Sequence, residues 1–166
     1  MLKLSLQLPI KGDRAGFAPA RVAVYQLPRS MMNEKKMSPC HGALSVGNVL
    51  IDDQHERIFN LSEEIAGWVR SELTACRQFR DLLVELEKLV AEHFASEEEI
   101  MERNYYPRLA AHRAAHAAIL ARLRAVVAED ALGKVDRDGL LQLLMTLVQT
   151  HVIRMDMAAR EYLAEF

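Results

Sequence analysis

Six histidines occur in the 166-residue chain, and five of them fall into a pattern with two acids. His55 stands alone and is followed by His93-x-x-x-Glu97, His112-x-x-x-His116 and His151-x-x-x-x-Asp156. A spacing of four returns to nearly the same face of a helix, whereas a spacing of five lands about 140° further round. Imidazole nitrogens and carboxylate oxygens are ligands that bind divalent transition metals.

Taken singly, each residue has an ordinary explanation. An inward histidine is usually a hydrogen-bonded core residue, and His112 and His116 show a spacing that helices produce by accident. His93 and Glu97 suit an i,i+4 pair worth about 0.2–0.5 kcal/mol. Asp156 suits a solvated face. The combination is different. Burying five imidazoles and two carboxylates without partners costs several kcal/mol per group, and a small domain has only about 5–15 kcal/mol of net stability. Metal coordination removes that cost. Seven ligands are too many for one tetrahedral zinc; they suit two six-coordinate ions sharing bridging carboxylates.

The elements that must position these residues are helices. Asp52 and Asp53 are placed to cap a helix beginning near Gln54, with His55, Ile58, Phe59, Ser62, Ile65, Ala66 and Val69 at helical spacing. A second helix is predicted from about Arg77 to Arg103, carrying His93, Phe94, Glu97 and Met101 on its inner face. Asn104-Tyr105-Tyr106-Pro107 ends it, because the residue before proline is pushed out of the helical region. A third helix covers about Arg108 to Glu129, and Gly133 lies in the next turn. A fourth runs from about Asp138 to Leu163, with Leu140, Leu144, Leu147, Val148, His151, Met155 and Tyr162 facing inward. Four such helices with short connections predict an all-α fold, an antiparallel up-down four-helix bundle.

Composition agrees: 51% hydrophobic and 27% charged residues, with little Gly or Pro, suit one soluble helical domain. Residues 1–36 carry seven Lys/Arg against two Asp/Glu, and the remainder fourteen against twenty-one. The acidic body argues against a nucleic-acid partner. No apolar run approaches the ~20 residues that span a bilayer, so no membrane association is expected. Cys40 and Cys76 make no disulfide framework and read as free thiols in a reducing cytoplasm. Residues 1–43, with four of the five prolines, read as a poorly ordered N-terminal extension and loop. Residues 44–166 form the bundle. His41 reads as a loop residue outside the motif.

The order of these motifs, with VGNVLIDDQHERIF around His55 and HFASEEEIMERNYYPRLAAHRAAH across the next two helices, resembles the hemerythrin family, in particular its single-domain bacterial members. The resemblance runs from about Leu44 to Tyr162. It implies two iron ions: His112, His116 and His151 on one, His55 and His93 on the other, Glu97 and Asp156 bridging them together with an oxo or hydroxo group. It implies reversible binding of dioxygen at the open position of the His55/His93 iron, for transport, storage or delivery, and no enzymatic turnover. Phe94, Ile119, Leu123, Leu147 and Val148, close in register to the ligands, are the expected dry wall of the oxygen pocket. No Glu-x-x-His is present, unlike the carboxylate-rich ferritin-like oxidases.

Departures from the family pattern fall on that wall. Leu147 stands where a tryptophan is common, and Ala159 where a tyrosine often follows the bridging aspartate. Two other classes of function are compatible with the motif. One is an oxygen, redox or iron sensor acting through a separate protein partner. The other is a diiron peroxidase or nitric-oxide-handling enzyme.

Overall fold

The computed structural model describes residues 44–164. The expectation for residues 1–43, including Cys40 and His41, lies outside the described residues. Four helical rods follow one another: α1 (Val49–Arg70), α2 (Arg77–Arg103), α3 (Leu109–Ala131) and a fourth rod in three contiguous pieces. Those pieces are α4 (Arg137–Met145), a π-helical segment (Thr146–Asp156) and α5 (Met157–Leu163). Each long helix packs on the next, and the fourth rod closes against both α1 and α3. The result is the predicted all-α bundle.

Local sequence explains where the rods start and stop. α1 begins earlier than expected, because Asn48, not Asp52 or Asp53, is its cap: the Asn48 side chain accepts from the amides of Leu50 and Ile51. Asp52 is turned to the preceding loop, where it accepts from the Val46 amide at 2.9 Å and the Ser45 hydroxyl at 2.5 Å. The first four amides of a helix lack intrahelical partners, and with Asn48 accepting from two of them Asp52 is left for this second task. α2 is capped by Cys76, whose Sγ accepts from the Phe79 amide; its thiol is free. α2 ends at Arg103, and in the turn that follows Tyr105 takes the left-handed conformation at φ 56°, ahead of Pro107. α3 ends at Ala131, and the turn after it passes through Gly133 at φ 66°, a conformation that favours a residue without Cβ.

The interior has three layers. A large apolar cluster, including Ile58, Ile65, Phe79, Leu83, Leu86, Phe94, Leu123, Leu140 and Leu147, fills one end. A smaller one, Val46, Ile51, Met101, Tyr106, Ala159 and Leu163, closes the other. On every rod the histidine and acid positions lie between a member of one cluster and a member of the other: His55 between Ile51 and Ile58, Glu97 between Phe94 and Met101, His112 and His116 between Tyr106 and Ile119, His151 and Asp156 between Leu147 and Ala159. The polar residues are thus one layer, sealed above and below.

The fourth rod corrects the predicted inner face. Leu140, Leu144, Leu147 and His151 are buried as expected, but Met155 and Tyr162 are only half-buried. Val152, Asp156, Ala159 and Leu163 are buried instead. Val148, expected inside, is also half-buried. The π-helical segment is the cause. Its i→i+5 hydrogen bonding accommodates an extra residue per turn and advances the inner face by one position. The same geometry stacks residue i+5 over residue i, so His151 and Asp156 share a face that an α-helix would deny them.

Deleting Ile153 should therefore convert the segment to α-helix with a His-x-x-x-Asp spacing. Helical content by circular dichroism and metal content are expected to be retained. Deleting Gln142, within regular α-helix, should displace the inward residues that follow and lower the melting temperature. Equal losses in both deletions would show that the segment does more than absorb one residue.

Candidate metal centre

All seven residues predicted as ligands come together in the buried middle layer. His55, His93, Glu97, His151 and Asp156 are fully buried, and His112 and His116 nearly so. They form two sets that share Glu97: Glu97 with His112, His116 and His151, and Glu97 with His55, His93 and Asp156. Within each set the ligand atoms lie within 4.8 Å of one another.

The distances show how the carboxylates are placed. Asp156 Oδ1 is 3.3 Å from Nε2 of both His112 and His151, while its Oδ2 is 3.3 Å from His55 Nε2. Glu97 Oε2 lies 3.3 Å from His116 Nε2, 3.5 Å from His112 Nε2 and 3.7 Å from His93 Nε2. Glu97 Oε1 faces His55 Nε2 at 3.9 Å. Both acids therefore lie between the three-histidine set and the two-histidine set.

The donor set fits a metal on two independent grounds. First, ten buried side-chain polar atoms lack a hydrogen-bond partner among the described residues, and nine of them belong to His55, His93, Glu97, His112, His151 and Asp156. Native interiors leave few such groups, and each demands an explanation. Second, His116 Nε2 and His151 Nε2 face each other at 2.8 Å. Metal–nitrogen bonds of about 2.0–2.1 Å at right angles would bring two nitrogens to about 3 Å.

Outside the ligand layer, two residues that sequence reasoning missed orient the rings. Gln54 Oε1 is 3.3 Å from His93 Nδ1, and Glu98 Oε1 is 2.8 Å from His116 Nδ1. When Nδ1–H donates outward, the Nε2 lone pair points inward, the tautomer a metal ligand needs. Each residue is the immediate neighbour of a ligand, Gln54 of His55 and Glu98 of Glu97, yet serves a ring on another helix. That pairing across helices had no signal in the sequence.

Of the expected pocket wall, Phe94 lies flat on His116, ring centroids 3.7 Å apart, and edge-on to His151. Ile119, Leu123 and Leu147 are buried in the large apolar cluster on that side of the centre. Val148 is only half-buried and is not part of that cluster.

Charges in the metal-free centre are uneven. Burial pushes His93 down to about 4, against the pull of Glu97. Burial also opposes the charge on Glu97, but His93 and the nearby rings of His112, His116 and His151 outweigh it and hold its carboxyl well below the ordinary range. For His112 burial works downward, yet Asp156 and Glu97 win and raise it to about 9.

A model of the hemerythrin HHE cation-binding domain matches residues 46–162, most of the chain and the whole of the site. The protein is thus a metal-binding helical bundle, and it belongs to the hemerythrin HHE family. Membership implies that the metal is iron. No curated protein and no solved structure gives a significant match. No described helix is long and apolar enough to cross a membrane.

Two outcomes follow from the charge pattern. His112 holds its proton up to about pH 9 in the metal-free protein, and a metal must displace it. Metal affinity should rise about tenfold per pH unit below that value and level off above it; titration calorimetry in buffers of different ionisation enthalpy would count the proton. The metal-free protein should also melt at a lower temperature than the loaded one, since nine orphaned atoms then lack their partner. Equal melting temperatures would contradict burial of the site.

Proposed function

We propose that the protein is a non-haem diiron protein that binds dioxygen reversibly, a carrier, store or delivery protein rather than an enzyme. The observation that carries this reading is the asymmetry of the donor set: three histidines on one side, two on the other, and two carboxylates each turned to both. With Glu97 and Asp156 as bridges, His112, His116 and His151 complete one position, while His55 and His93 leave the other a ligand short. Two irons in these positions would supply the electrons and the open coordination site that dioxygen requires.

The chain's own residues favour binding over turnover. The donor set is five imidazoles with only two acids, buried in the layer between the two apolar clusters. Phe94, Ile119, Leu123 and Leu147 cover one side of the centre with groups that neither donate nor accept protons. A dry wall of this kind slows proton entry and the loss of a bound ligand. No further acid or base is needed in such a role.

Anaerobically purified protein should contain about two iron equivalents per chain. Admitting oxygen to the reduced protein should produce a visible absorption that disappears again when oxygen is removed. A single zinc with no iron would refute the two-metal reading. Rapid oxygen consumption without a reversible spectrum would favour the enzyme class instead.

Leu147→Trp tests the wall. Leu147 is fully buried, so added bulk is expected to cost about 1–3 kcal/mol of stability. Iron content should stay the same while the lifetime of the oxygenated spectrum changes in stopped-flow measurements. Identical lifetimes would remove Leu147 from the pocket.

A further inference from the structure

The five histidines differ in what their outward nitrogen meets. His93 Nδ1 faces the neutral amide of Gln54. Nδ1 of His55 and of His151 are buried with no partner among the described residues. Among the described residues, His116 is the one of the five whose Nδ1 is hydrogen-bonded to a carboxylate: Glu98 Oε1 lies 2.8 Å away. The ring cannot easily turn away, because Phe94 is stacked on it with planes 6° apart. The other Glu98 oxygen, Oε2, accepts from Arg113 Nε at 3.2 Å, and Arg113 Nη2 reaches Glu102 at 3.0 Å. Glu98 is thus shared between a ligand ring inside and a guanidinium at the surface, and its side chain is 26% exposed.

We propose that Glu98 is a tuning residue, which polarises His116 into the strongest donor of the five, and that Arg113 limits how strongly it does so. A carboxylate accepting from Nδ1–H pushes electron density to Nε2 and raises the basicity of the ligand. A guanidinium on the same carboxylate draws part of that density back. The three-histidine position would then hold the more oxidised metal more firmly than the two-histidine position, which has only neutral or absent partners. This gives the centre an electronic asymmetry on top of its asymmetry in ligand number. It rests on the reading above only in taking the metal to be redox-active.

Glu98→Gln and Arg113→Met test this as a pair. The first keeps an acceptor oxygen but removes the charge; the second leaves Glu98 with its full charge. In the iron-loaded protein the reduction potential should rise in Glu98→Gln and fall in Arg113→Met. Zinc affinity should drop about tenfold or more in Glu98→Gln and hold or increase in Arg113→Met. In the zinc-loaded protein the nitrogen-15 resonances of His116 should move in opposite directions in the two variants. A purely structural role would weaken both variants alike, and the same-sign shift in potential or resonance would overturn the proposal, as would no shift in Glu98→Gln. Arg113→Lys, which retains the charge, should stay near the native potential. Should the protein take zinc but no iron, the function proposed above fails, while the zinc affinities and His116 resonances still decide the role of Glu98.

Discussion

Desolvating five imidazoles and two carboxylates in the middle of a helical bundle is the constraint on which the rest of the structure depends. Isolated ionised groups in such a place cost more than a domain of this size can offset. The bundle nonetheless brings them together, fully enclosed, with nine of their polar atoms unpaired. Apolar clusters on both sides supply the folding energy that the middle layer does not. They also keep water from satisfying the orphaned atoms. A bound metal resolves this conflict because it consumes the inward lone pairs and both negative charges at once.

That requirement reaches into backbone geometry. Four of the seven ligands come in i,i+4 pairs, which an α-helix aligns without adjustment. His151 and Asp156 are five apart, and the fourth rod widens into a π-helical segment, Thr146–Asp156, that contains both. The widening is local, yet it resets every inward position that follows, so that Ala159 and Leu163 close the small cluster in place of Tyr162. π-Helical turns are rare and concentrate at functional sites; here the reason is that one ligand pair would otherwise diverge.

Electrostatics separates the two halves of the centre. The three-histidine half contains His116, whose Nδ1 meets the Glu98 carboxylate, and the ring that retains a proton up to about pH 9, His112. The two-histidine half contains His93, which burial pushes down to about 4, with an amide as its partner. Removing one of the buried carboxylates would be costly for a different reason, because it would leave a proton on His112 without the charge that stabilises it.

How much of this was legible in the sequence depended on the range of the interaction. The helices, their approximate limits and the seven inward histidines and acids could be read from periodicity and from the placing of histidines on apolar stripes, since both are local properties of the chain. So could the family, whose motif lies in those spacings. Tertiary structure decided the remainder. Asn48, not Asp52 or Asp53, caps the first helix, and Asp52 accepts instead from Ser45 and Val46. The inner face slipped by one after His151 because Asp156 had to meet ligands from three other helices, and no local pattern encodes that demand. Gln54 and Glu98 are polar residues beside ligands, and nothing in the order of residues says that they hold His93 and His116. Those contacts, 39 and 18 residues apart in the chain, exist only once the helices have packed and brought one helix's outward edge against another's inward ring.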